Sequence, residues 1–164
     1  MRTSLKALAV GDMRWLWQHV VMPSWRDSAS QQAQDDLDGL LNAALPFAQE
    51  MLSKRGEFFP YGAAISSDGE TRLVGGDPGQ GEKPLGDDLL AALVQAFRAG
   101  REGLRAVAVA VDVRIADSDA VRVEVEHREG QALVMLLRYK KKRFPRGIEY
   151  GNLSASPGER QIWV

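Results

Sequence analysis

Six of the nine residues from Arg138 to Arg146 are basic, and Tyr139 and Phe144 are interleaved with them. Cations at that density can hold a phosphate backbone while neighbouring aromatics stack on bases. Arg138, Lys140, Lys141, Lys142, Arg143 and Arg146 are therefore the candidate polyanion site. Two other readings use the same charges. An acidic protein partner would meet them equally well, and lysines on an edge strand discourage sheet-to-sheet aggregation. A formal net charge of -1 supplies no whole-molecule attraction to nucleic acid, so any such binding has to be local.

Residues suited to catalysis are few. The two histidines are His19, on an expected first helix, and His127, at the end of an expected strand. His127 continues the inward face of Val121, Val123 and Val125, which makes it a boundary histidine with satisfied partners. Glu124 and Glu126 share a strand face about 7 Å apart, close enough to act together. Arg122 and Arg128 beside them favour a solvated ladder of ion pairs. Ser66-Ser67-Asp68 lies in a turn with no base to assign to it. The glycine-rich stretch Gly75 to Lys83 fails as a phosphate loop, because Glu82 stands where the lysine belongs. No metal-ligand spacing occurs, and the absence of cysteine removes thiolate and disulfide chemistry. No catalytic residue, metal or cofactor is assigned.

A third group suits partner binding. Trp15, Trp17 and Trp25 crowd one short segment, and tryptophan is enriched at interface hot spots. Trp17 joins the apolar stripe of its helix and Trp15 points away from it. Phe58, Phe59 and Tyr61 surround Pro60 at a helix–strand corner, where they could rim a partner site or pack the core. The candidate partner-binding residues are Trp15, Trp17, Phe58, Phe59 and Tyr61.

The elements that must position these groups follow from periodicity. Met13, Leu16, Trp17, Val20 and Val21 predict an amphipathic helix between Asp12 and Pro23. Asp27 to Asp36 reads as a linker. A second helix spans Gln34 to Arg55, with Pro46 expected to kink or split it and Lys54-Arg55-Gly56 ending it. The period then changes to two: Tyr61 to Ser66 and Thr71 to Val74 flank an Asp-Gly turn. A third helix runs from Asp87 to Ala99. Strands follow over Ala106 to Ile115, Val121 to His127 and Gln131 to Tyr139, joined by short turns as an antiparallel meander. In the first of them, small Ala106, Ala108 and Ala110 form one face, which suits a helix lying close. Ile148 to Leu153 and Gln161 to Val164 are possible additions at the edge.

From Leu37 onward this layout resembles a group of small bacterial α+β proteins of unassigned function. The resemblance is carried by the Gly-Glu-Phe-x-Pro-x-Gly stretch at Gly56 to Gly62, the Asp68-Gly69 hairpin and Pro157-Gly158-Glu159. Those motifs are structural punctuation and imply no activity. Some similar small proteins stand beside secreted toxins as immunity proteins, a role the resemblance places among the expectations.

A chain of 164 residues suits one domain with a core needing no staples. The expected architecture is α+β: a single twisted antiparallel sheet of about five strands, including a three-strand meander. Two helices pack on one of its faces. Residues 1–30 form an N-terminal extension with its own amphipathic helix, and 31–164 the α+β domain. The apolar stretch Ala7 to Val10 is short of a signal h-region, and no run approaches a membrane span, so the expected location is cytoplasmic. The leading functional expectation is a non-catalytic protein-interaction module, immunity-type or homodimeric. The alternatives are nucleic-acid or polyanion binding through 138–146, and an enzyme with an unrecognised site near His127.

Overall fold

The computed structural model describes residues 25–75 and 86–164. The expected first helix, with Trp15 and Trp17, and the glycine-rich loop beyond Gly75 lie outside the described residues. Within them the order is a short helix α1 (Trp25–Ser28), a long helix α2 (Gln31–Arg55) and a hairpin of β1 (Tyr61–Ser66) with β2 (Thr71–Gly75). Helix α3 (Gly86–Gly100) and one 3-10 turn lead into β3 (Leu104–Ile115), β4 (Ser118–His127), β5 (Ala132–Arg143) and β6 (Arg146–Pro157). All pairings are antiparallel, in the order β2-β1-β3-β4-β5-β6.

Helix α2 starts earlier than its apolar stripe suggests. Ser30 sits in extended conformation and its side chain accepts from the Ala33 N–H at 3.0 Å, so the helix begins at Gln31 within the segment expected to be a linker. It runs unbroken through Pro46. It ends at Gly56, whose φ of 74° is left-handed and whose N–H closes back on the Leu52 carbonyl at 2.9 Å.

The two long helices do not share a face of the sheet. Leu37, Leu40, Leu41, Leu45 and Leu52 of α2 pack on Ala106, Ala108 and Ala110 of β3 and on Val121, Val123 and Val125 of β4. Leu93 and Phe97 of α3 pack on Ala64, Val107 and Val109, which point the opposite way. The physical reason is in β3, which is apolar on both faces and needs two covers. The sheet has six strands where about five were expected, because β6 is one continuous strand. Gln161 to Val164 is not a strand; it is an irregular segment whose Ile162 completes the α3-side core. No helix among the described residues is long and apolar enough to cross a membrane.

Helix α3 lies so close to β1 that Gly62 has no room for a side chain. A Cβ there would sit 2.6 Å from the Phe97 ring and 3.2 Å from the Ala108 carbonyl oxygen. Gly62→Ala should therefore lower stability by about 1–3 kcal/mol through overpacking, read as a shift in urea midpoint at constant slope. An unchanged midpoint would show that α3 does not hold this position.

Candidate functional site

The basic run lies on a ribbon that outgrows the sheet. Pairing of β4 with β5 stops at Asp119↔Tyr139. β5 and β6 go on pairing for four more rungs, from Lys140↔Glu149 to Arg143↔Arg146, which is about 14 Å of strand. Alternation puts Arg138, Lys140 and Lys142 on one side, and Tyr139, Lys141 and Arg143 on the side facing α2.

The α2-facing side is anchored. Tyr139 is 2% exposed, and its hydroxyl donates to Asp112 Oδ1 at 2.6 Å. The Tyr139 and Tyr150 rings lie 6.4 Å apart, and Ile148 joins the same core. Burial, opposed by the Tyr139 bond, raises the Asp112 carboxyl above its ordinary range. Burial, with Asp112 adding to it, raises Tyr139 as well; burial alone pushes Tyr150, whose hydroxyl has no hydrogen-bond partner among the described residues, up to about 12. Lys141 reaches back so that its Nζ lies 3.8 Å from where a Gly56 Cβ would be, beside the negative end of the α2 dipole.

The other cations divide cleanly. Lys142 is held by Glu149 at 2.6 Å. Arg138, Lys140, Arg143 and Arg146 are exposed and form no ion pair among the described residues. Phe144, in the turn between the strands, is 94% exposed. The structure thus brings the six basic residues onto one element, and gives two of them internal work.

The aromatic corner is mostly core. Phe58 and Tyr61 are buried, stacked edge-on with centroids 5.6 Å apart, and Tyr61 donates its hydroxyl to the Ala44 carbonyl. Phe47 meets Tyr61 at 4.7 Å. Only Phe59 of the three candidates here reaches the surface, on the rim of an open cleft of about 320 Å³ with Met51, Pro60, Arg55 and Glu57. Trp25 is buried in the main core with Arg26 over its ring.

His127 is fully buried, and both of its ring nitrogens are engaged. Nδ1 accepts from the Glu129 N–H at 3.1 Å, so Nε2 carries the proton and donates it to Asp36 Oδ2 at 2.9 Å. Arg105 donates to the other Asp36 oxygen at 2.7 Å. This triad ties α2 to β3 and β4 and leaves a substrate no approach to the ring. Glu124 and Glu126 do not work as a pair either. Glu124 is held by Arg122 at 2.6 Å. Glu126 is buried, contrary to the solvated ladder, and accepts the backbone N–H groups of Gln161, Ile162 and Trp163 at 2.9, 2.9 and 3.1 Å. Asp36 and Arg105 were invisible as partners because they lie 69 residues apart. Among the described residues no cluster of three or more His, Asp or Glu could hold a metal.

Two outcomes separate these structural groups from the ribbon. Asp36→Ala strands Arg105 in a largely buried site and should cost about 3–5 kcal/mol in urea unfolding, with no role in ligand contact. Asp112 acts through pH. Its folded value is raised, so the stability it contributes is full below the ordinary carboxylate range and is lost as pH rises through the folded value. Asp112→Asn should remove that falling component from the difference between the two stability–pH curves; parallel curves would refute it. No family model matches the chain, and no curated protein or solved structure matches it significantly.

Proposed function

We propose that this protein is a non-catalytic binding module whose β5–β6 ribbon holds a polyanion, with nucleic acid as the ligand whose chemistry fits. One observation carries the reading: four exposed cations, Arg138, Lys140, Arg143 and Arg146, stand on a ribbon that projects past the sheet, with neither a carboxylate partner among the described residues nor the end of α2 beside them. The net charge does not oppose this, because charge is segregated. Residues 138–149 hold six of the 21 basic residues and one of the 22 acidic ones. Arg138 and Lys140 repeat on one face at about 7 Å, a regular row suited to a repeating phosphate chain. The wholly exposed Phe144 adds a surface that can stack on a base. The buried His127 triad and the engaged Glu126 support the non-catalytic half of the reading.

The test is fluorescence anisotropy with a labelled mixed-sequence duplex, over a series of salt concentrations. If all four cations meet phosphates, log K should fall with log salt at a slope of about -3.6. The variant with Arg138, Lys140, Arg143 and Arg146 all changed to glutamine should lose most binding and flatten the slope, while its urea midpoint stays near that of the parent. Absence of binding at low salt, or equal binding by the variant, would overturn the proposal.

A further inference from the structure

Among the described residues Phe144 is the most exposed large apolar side chain, at 94% against 74% for Val164 at the end of the sequence, 45% for Leu73 and 39% for Phe59. Among the described residues it belongs to neither apolar core. It shares the ribbon turn with Pro145, which has no N–H, so the tip presents carbon to solvent. Arg143 and Arg146 form the last rung directly behind it.

We infer that Phe144 and Pro145 form a wedge that enters one base step of duplex nucleic acid, with Arg143 and Arg146 on the flanking phosphates. This rests on the ribbon reading above and adds to it the form of the ligand. Proteins that kink duplexes do so with apolar side chains of this kind, Phe and Pro among them. A single-stranded ligand fits less well. Platforms for single strands stack successive bases on several aromatics. Here the ribbon's other aromatics, Tyr139 and Tyr150, are packed toward α2 and only the tip is free. The reach is sufficient. Ser118, the first residue of β4, is level with Lys140, so the Ala116-Asp117 turn ends near Lys141 and Phe144 stands three residues beyond it. That is about 10 Å of strand, against groove depths of about 7.5–8.5 Å. The tip can therefore touch base edges before the body of the sheet meets the backbone.

The experiment uses the full chain and a duplex carrying 2-aminopurine at a central TA step, a step that unstacks readily, with dyes at both ends. The parent protein should raise 2-aminopurine fluorescence and bring the ends closer. Phe144→Ala should bind within about tenfold of the parent, because the cost of unstacking offsets much of what the wedge gains, yet lose both signals. Phe144→Leu, still an apolar wedge, should keep most of them. Binding by the parent without unstacking, unstacking by Phe144→Ala equal to the parent's, or tighter binding to the single strand would each overturn the wedge and leave the ribbon reading standing. No salt-dependent binding to either form would overturn both.

Discussion

Strand β3 has no side that can face water along Ala106 to Ala110, where every residue is almost fully buried. One face is alanine and the other valine, and the two demand different neighbours. The alanine face lets the backbone of α2 come close and fills the gap with the leucines of α2. The valine face is already bulky, and α3 meets it with Leu93 and Phe97 across the bare surface of Gly62. The sheet order, the opposed helices and the irregular C-terminal segment all answer the need to cover both faces of one strand.

Buried charge then fixes the edges of that arrangement. Asp36 joins α2 to Arg105 and His127 at one end of the alanine face. At the other end of the same face, Asp112 and Tyr139 occupy the corner from which the ribbon departs. On the valine side, Glu126 gathers three consecutive backbone N–H groups, while Arg98 and Arg101 donate to the carbonyls of Gln161 and Ile162. Burial of Asp36 and Glu126 is tolerated because each is met by several donors at once, whereas Asp112 has the Tyr139 hydroxyl and a raised pKa. These buried carboxylates serve the fold, while the exposed cations of the ribbon tip form no ion pair among the described residues.

The strands were legible because a period of two survives in β1, β3, β4 and β5. The ends of α2 were only half legible: the glycine stop was plain, but the start depends on Ser30 and on aspartates that look solvent-facing and are buried. The opposed helices could have been read from β3 itself, since a strand apolar on both faces must be covered twice. The basic run was visible as composition. Its projection was not, because it depends on where β4 stops relative to β5, and register of that kind follows from turn geometry and long-range packing. The internal duties of Lys141 and Lys142 were hidden for the same reason.

The meander from β3 to β6 also divides the chain by the distance over which contacts must be found. Each of its three pairings joins strands that are neighbours in sequence and connected by short turns. Pairing of β1 with β3 instead closes a loop containing β2 and the whole of α3, and α2 must find β3 and β4 across a still longer stretch. Local hairpins form in about 1–10 μs, whereas long closures carry the entropy that slows folding. The C-terminal half is thus the part that can organise first, and the alanine face of β3 is the template on which the N-terminal half has to arrive.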